Sequence, residues 1–134
     1  MKILWMDLYS GMWPEYKDEF DKLIRGQHQV RMWSTASFHG GPERADISAL
    51  SKIKSEDYDL VVMGNYGNSG LGWVTHLPAQ TRKKMILNHS GLCKSVEDEY
   101  RQLEVLRVMR RTKFWEEVRA GRITALLRES GEDE

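Results

Sequence analysis

The stretch DLVVMGNYGNSGLG, residues 59 to 72, joins an unbroken apolar run to four glycines within nine positions. A short apolar run bounded by turn residues is typical of a strand that is buried on both faces of a parallel sheet. The glycines suit a strand-to-helix loop in which bare backbone N–H groups approach a ligand. The stretch therefore predicts the central strand of an α/β fold, followed directly by a ligand-binding loop.

Strand-like and helix-like segments alternate on both sides of that stretch. The predicted strands are Lys2 to Met6, Gln29 to Thr35, Asp59 to Met63 and Lys84 to Leu87. The predicted helices are Pro14 to Gly26, Pro42 to Ile53 and a shorter one that begins near Thr75 to Pro78. Parallel strands need crossover connections, and the crossovers cover both faces of the sheet. The sequence predicts a three-layer α/β/α sandwich, Rossmann-like or flavodoxin-like, with a parallel sheet of four or five strands.

The carboxyl-terminal third has a different pattern. Apolar residues recur at helical spacing after Ser95, which predicts a long helix to Ala120 that ends at Gly121. Residues 122–127 fit either a fifth strand or a last helical turn, and residues 129–134 are expected to form a disordered acidic tail. We predict a single domain over residues 1–128, which agrees with a length of 134 residues.

Composition excludes several classes of partner. Basic and acidic residues balance at 20 each, so no global field favours nucleic acid. No apolar run approaches the ~20 residues that a membrane span needs. A single cysteine cannot form an internal disulfide, and the first residues lack the features of a signal peptide. The sequence predicts a cytoplasmic protein with neither membrane nor nucleic acid as a partner.

Polar residues follow each predicted strand, and the carboxyl ends of parallel strands meet at one edge of the sheet, where ligands bind in open α/β folds. Loops at the opposite edge are charged turns without a glycine cluster. The predicted ligand-binding residues are Asp7, Ser10, Ser34, Thr35, Gly64, Asn65, Gly67, Asn68, Ser69, Gly70 and His89. We expect them to bind a nucleotide or a nucleotide-derived phosphorylated small molecule.

The glycine-rich stretch resembles the nucleotide-binding segment of universal stress proteins, in which a Gly-x-x-Gly loop lies over the phosphates of ATP. The matching residues are Gly64, Gly67, Ser69 and Gly70 in the loop and Asp7 at the end of the first strand. Leu77 and Pro78 stand where the family has a further Gly-Ser or Gly-Thr. The resemblance implies a Rossmann-like fold with ATP or another nucleotide as the ligand.

Catalysis is left open by these residues. MDLYSG also resembles the nucleophile loop of haloacid-dehalogenase phosphatases, although Tyr9 replaces the second aspartate of that family. Asp7 is the one obvious carboxylate for glycosyl or deoxyribosyl transfer, and His89 with Cys93 forms a conceivable nucleophile pair. His39, His76 and His89 lack close ligand spacing, so we predict no metal site.

The predicted carboxyl-terminal helix offers an alternative function of another class. It carries more apolar surface than one helix hides against one sheet face, at Val105, Val108, Phe114 and Trp115. Basic residues surround that surface, namely Arg107, Arg110, Arg111 and Lys113. This pattern indicates a protein-interaction module that forms a homodimer through the helix.

Overall fold

The computed structural model describes residues 1–7, 16–34, 43–64, 70–91 and 94–128. Five strands form one sheet: β1 (Lys2–Asp7), β2 (Gln29–Ser34), β3 (Leu60–Gly64), β4 (Met85–His89) and β5 (Arg107–Arg110). All neighbours are parallel, in the order β2-β1-β3-β4-β5. This is the flavodoxin-like order. The predicted three-layer α/β fold with a parallel sheet is confirmed.

Short helices connect these strands. They are α1 (Lys17–Glu19), which continues as a π-helical turn (Phe20–Arg25), α2 (Arg44–Ser51), α3 (Gly70–Val74), α4 (Ala79–Arg82), α5 (Lys94–Gln102) and α6 (Arg111–Arg119), with 3₁₀ turns at Ser55–Asp57 and Ile123–Leu127. The short helix predicted to begin near Thr75 to Pro78 is α4, which begins at Ala79 with Pro78 as its N-cap.

The core has two layers, one on each face of the sheet. On one face, α1, α6 and the last 3₁₀ turn cover Ile3, Trp5, Leu60, Val62, Ile86 and Met109. On the other face, α2 to α5 cover Leu4, Met6, Val61, Met63, Met85, Leu87 and Val108. Strands β3 and β4 are buried at every residue. This explains why β3 reads as a continuous apolar run.

Aromatic rings join α1 to α6 across the first of these layers. The ring of Trp5 lies 4.8 Å from that of Phe20 and 6.1 Å from that of Trp115, centroid to centroid. Arg119 of α6 donates two hydrogen bonds to one carboxylate oxygen of Glu19, at 2.8 and 2.6 Å. The layer is therefore built from segments that lie 100 residues apart in the chain.

The predicted long helix from Ser95 to Ala120 is wrong. The chain leaves α5 after Gln102, turns at Glu104 with a φ of 60°, and forms β5 before α6 begins. A strand is possible here because Val108 and Met109 fill opposite core layers, as neighbours in a strand do. The open choice for residues 122–127 is resolved as a 3₁₀ turn.

A buried arginine fixes that 3₁₀ turn against β5. Arg107 is 7% exposed, and its Nε donates to the carbonyl oxygen of Leu126 at 2.8 Å. One of its terminal nitrogens, Nη2, donates to the carbonyl oxygen of Arg128 at 2.9 Å. The predicted role of Arg107 on a solvated rim is therefore wrong, because its guanidinium caps backbone carbonyls.

No helix among the described residues has the length and the apolar character required to cross a membrane.

Candidate functional site

The carboxyl ends of the strands meet at one edge of the sheet, as predicted. Asp7, at the end of β1, pairs with Ser34 of β2 on one side and with Gly64 of β3 on the other. At the far end, His89 of β4 pairs with Arg110 of β5. The chain order reverses between β1 and β3, and this reversal marks the usual ligand crevice of such folds.

Most of the other predicted ligand residues lie outside the part of the chain that the structure describes. Gly70 is the first residue of α3. Ser10, Thr35, Asn65, Gly67, Asn68 and Ser69 lie outside the described residues. The same holds for His39 and Cys93, and for the acidic tail at 129–134. Four of the eleven predicted residues, Asp7, Ser34, Gly64 and His89, are thus strand-end residues at the predicted edge.

The centre of the edge is filled by Asn88. A Cβ atom added to Gly64 would lie 3.3 Å from Asn88 Oδ1 and 3.4 Å from its Nδ2. The carboxamide is 3% exposed, and Nδ2 donates to the carbonyl oxygen of Met63 at 3.4 Å. Gly64 therefore packs closely against a side chain at this edge, and its predicted contact with a ligand stays a prediction.

His89 is buried against a carboxylate. Its side chain is 4% exposed, and Nε2 lies 3.2 Å from Oε1 of Glu97 on α5. Burial lowers the pKa of His89, and the positive charges of Arg110, Arg101 and Arg111 lower it further, against the opposing effect of Glu97. His89 is therefore neutral at pH 7. Because a carboxylate only accepts hydrogen bonds, the neutral ring carries its proton on Nε2.

Three arginines surround this histidine, and with His89 and Glu97 they form what we call the basic cluster. Arg101 and Arg110 are exposed, and Arg111 is half-buried. Nη2 of Arg101 donates to the carbonyl oxygen of Val108 at 3.3 Å and so links α5 to β5. All three arginines and Glu97 lie close enough to His89 to act on its pKa, so the basic cluster is a group of charged side chains in a chain whose net charge is zero.

The start of α6 adds to this positive field. Arg110 is the N-cap of α6 and makes no side-chain capping hydrogen bond, and the first turn contains no acidic residue. The amino end of a helix carries a partial positive charge. Basic residues are unfavourable there unless an anion lies nearby, so the basic cluster is suited to an anionic group.

Sequence reasoning missed most of the basic cluster. It assigned Arg110 and Arg111 to the middle of a long helix, and it did not single out Glu97 or Arg101. One signal was available. The two arginines directly follow the apolar pair Val108 and Met109, in the same way that polar residues follow the other strands.

The cavities that the structure describes lie elsewhere. One of about 390 Å³ is at the amino edge of the sheet and is lined by residues that include Lys2, His28 and Asp59. A second, of about 170 Å³, lies beside β2 between Arg31 and Tyr58. Among the described residues, no three His, Cys, Asp or Glu side chains are grouped so as to hold a metal ion.

Comparison with known proteins gives similarity in fold. No protein-family model matches the chain, and no curated protein matches it. The fold is similar to that of a signal receiver domain of two-component signal transduction (histidine kinase) from Clostridium thermocellum, with 13% identity, a TM-score of 0.62, and coverage of 95% of this chain and 97% of that one. RcsB from Salmonella enterica serovar Typhimurium, solved with promoter rprA and the phosphomimetic BeF3⁻, matches at 12% identity and a TM-score of 0.47 over 90% of this chain and 67% of that one.

These comparisons correct the predicted resemblance and the function drawn from it. The solved structure that is similar at a TM-score of 0.62 is a signal receiver domain, and no family model supports a universal stress protein. The prediction of nucleotide or ATP binding through the glycine-rich loop is therefore wrong. The alternative of an interaction surface on a long carboxyl-terminal helix fails as well, because Phe114 and Trp115 are buried core residues of the much shorter α6.

Proposed function

We propose that this chain is a receiver-type signalling module that binds a protein partner through the carboxyl edge of its sheet. The basic cluster recognises an acidic group of that partner, which is a carboxylate or a phosphoryl group. The observation that carries the proposal is the grouping of Arg101, Arg110 and Arg111 around His89, with Arg101 and Arg110 exposed. The similarity to a signal receiver domain covers nearly the whole of both chains, which supports a signalling role for the entire fold.

The chemistry of the basic cluster supports an acidic partner. Guanidinium groups bind carboxylates and phosphoryl groups through paired hydrogen bonds. Arg110 and Arg101 are exposed and therefore accessible to another protein. His89 adds no charge at pH 7, because burial and the arginines keep it neutral. Affinity is thus expected to depend on the arginines and to weaken as salt rises.

Recognition at this edge is expected to be non-covalent. Carboxylates of aspartate accept phosphoryl groups in covalent catalysis. Among the described strand-end residues, Asp7 alone carries a carboxylate, and the centre of the edge is closed by Gly64 against Asn88. As part of the proposal, the module responds to an acidic group that its partner presents. The predicted cytoplasmic location stays a prediction.

The test is an NMR titration of the ¹⁵N-labelled chain with three peptides of equal length. One carries a phosphoserine, one carries glutamates and one carries lysines. We expect the first two to shift the backbone amides of His89, Arg110 and Arg111, and the third to leave them unchanged. The double variant Arg110→Glu, Arg111→Glu should lose at least tenfold in affinity for the acidic peptides.

Arg25→Glu is the matched control, since Arg25 is an exposed arginine at the end of the π-helical turn of α1, outside the basic cluster. Its affinity for the acidic peptides should equal that of the unmodified chain. Shifts that map to another surface, or equal losses in Arg25→Glu and in the double variant, would contradict the proposal. A phosphoryl adduct on Asp7 after incubation with acetyl phosphate and Mg²⁺, detected by intact mass and peptide mapping, would contradict its non-covalent part.

A further inference from the structure

Strand β2 forms an edge of the sheet, and the described residues give it none of the usual protection against pairing. Each of its six residues pairs with β1 in continuous register, from Gln29 with Lys2 to Ser34 with Asp7, so the strand has no bulge. It contains no proline. No described element pairs with its outer side. Edge strands are normally protected by bulges, prolines, covering elements or repeated charges, because an open edge pairs readily with another strand.

The hydrogen bonds to β1 identify which backbone groups point outward. The N–H of Gln29 donates to the carbonyl oxygen of Met1 at 3.0 Å, so Gln29 bonds to β1. In a parallel ladder, alternate residues bond to the same neighbour. Arg31 and Trp33 therefore also bond to β1. The N–H and C=O groups of Val30, Met32 and Ser34 are directed to the outer side.

Met32 combines an outward backbone with an exposed apolar side chain. Its side chain is 45% exposed, and it is the one large hydrophobic residue that is exposed among the described residues. An exposed apolar residue at the middle of an open edge strand favours pairing with a second strand. Met32 also determines which register such a pair would adopt.

We propose that two copies of this chain associate through β2, with the strands antiparallel and the two-fold axis at Met32. In such a pair, the outward residues of one strand must lie opposite outward residues of the other. Three registers meet this condition with a long overlap, and they place the two-fold axis at Arg31, at Met32 or at Trp33. The register at Arg31 places two like charges together, and the register at Trp33 shortens the overlap. In the Met32 register, Val30 opposes Ser34 and all three outward residues form hydrogen-bonded pairs.

Side chains support the same register. Residues directly opposite in an antiparallel pair lie on the same face of the sheet. The Met32 register places Arg31 of one copy against Trp33 of the other, twice by symmetry. An arginine beside an indole ring makes a favourable cation–π contact. The strand is therefore complementary to itself, as an isologous two-fold interface requires.

The first test is disulfide trapping in a Cys93→Ser background under mild oxidation. Met32→Cys should crosslink nearly completely, because Cα atoms in a hydrogen-bonded antiparallel pair lie about 5.5 Å apart, within the range of a disulfide. Gln29→Cys is the matched control on the same strand. Its two copies would lie roughly 20 Å apart, so it should stay reduced. Equal crosslinking of both variants, or of neither, would overturn the proposal.

The second test is sedimentation equilibrium of the full chain. We expect a dimer whose dissociation constant rises at least tenfold in Met32→Pro, which removes an outward N–H and leaves the β1 ladder intact. Circular dichroism and the Tm of the variant verify its fold. Arg110→Glu, Arg111→Glu should leave the dimer unchanged, so this result separates the dimer from the basic cluster. A monomer at all concentrations, or a dimer insensitive to Met32→Pro, would overturn the proposal.

Discussion

The two edges of the sheet are completed in different ways. At β5, the buried guanidinium of Arg107 donates to carbonyls of the last 3₁₀ turn, and that turn covers the adjacent core. At β2, the outer backbone groups of the strand have no described element to pair with, and Met32 is exposed. The protein thus buries a charge beside one edge strand and, among the described residues, exposes an apolar side chain on the other. The difference favours β2 over β5 as a surface for association.

The largest expected loss of stability comes from removing the hydrogen bonds of Arg107 beside β5. Arg107→Met removes hydrogen bonds to the carbonyls of Leu126 and Arg128 while keeping most of the apolar volume. We expect the free energy of unfolding to fall by about 3 kcal/mol, because bonds from a charged donor contribute roughly 1.5–3 kcal/mol each. Urea denaturation measures this. Arg107→Lys should lose less stability, since it keeps one charged donor group. An unchanged urea midpoint in Arg107→Met would contradict a stabilising role of these hydrogen bonds.

A smaller effect tests whether tight packing extends from β4 into the centre of the sheet. Gly64→Ala places a Cβ atom 3.3 Å from Asn88 Oδ1, so the carboxamide must shift. We expect a loss of about 1–2 kcal/mol, which is typical of overpacking by one methyl group. Gly91→Ala is the matched control, since its Cβ would meet no atom within 4 Å. Thermal or urea unfolding of both variants measures the difference, and equal stabilities would contradict it.

The smallest effect concerns pH and compares the two sides of the sheet. Burial lowers the pKa of His89 on β4, and burial together with the amino terminus lowers that of His28 just before β2. The unfolded chain therefore binds protons first as pH falls below the ordinary histidine pKa of about 6.5. Stability should be constant above that pH with respect to these groups and decline below it, until each folded-state pKa is passed.

Two single variants separate these contributions. His89→Gln and His28→Gln should each reduce the slope of unfolding free energy against pH below about pH 6.5. The double variant should have the smallest slope of the series. Urea unfolding at half-unit pH intervals measures the slopes. A slope that is unchanged in both single variants would assign the pH dependence to other groups.

The sequence predicted the centre of the sheet well and its β5 side poorly, for physical reasons. The run from Asp59 to Met63 favours a strand buried on both faces, because it is short and apolar, contains two valines and is followed by a glycine. Residues 103–109 were ambiguous, since their apolar positions fit helical spacing as well as a strand. The arginine among them looks solvated in the sequence. Its carbonyl partners lie 19 and 21 residues further along the chain, where no local pattern reveals them.

The candidate site divides in the same way. The rule that parallel strands end at one edge correctly placed Asp7, Ser34, Gly64 and His89 there. The predicted nucleotide ligand was wrong. In the sequence, a glycine that packs closely against a side chain such as Asn88 cannot be distinguished from a glycine that contacts a ligand. The arginines of the basic cluster were missed as a consequence of missing β5.

The core layer that joins α1 to α6 also has a consequence for the order in which the chain is made. Ile3, Trp5 and Leu60 leave the ribosome before α6, which covers them with Phe114 and Trp115. The opposite layer is covered by α2, α3 and α5 from the middle of the chain. During synthesis that layer is thus completed while the first still lacks the part of its cover that α6 supplies. That interval is when a nascent chain of this protein is most exposed to chaperones and to aggregation.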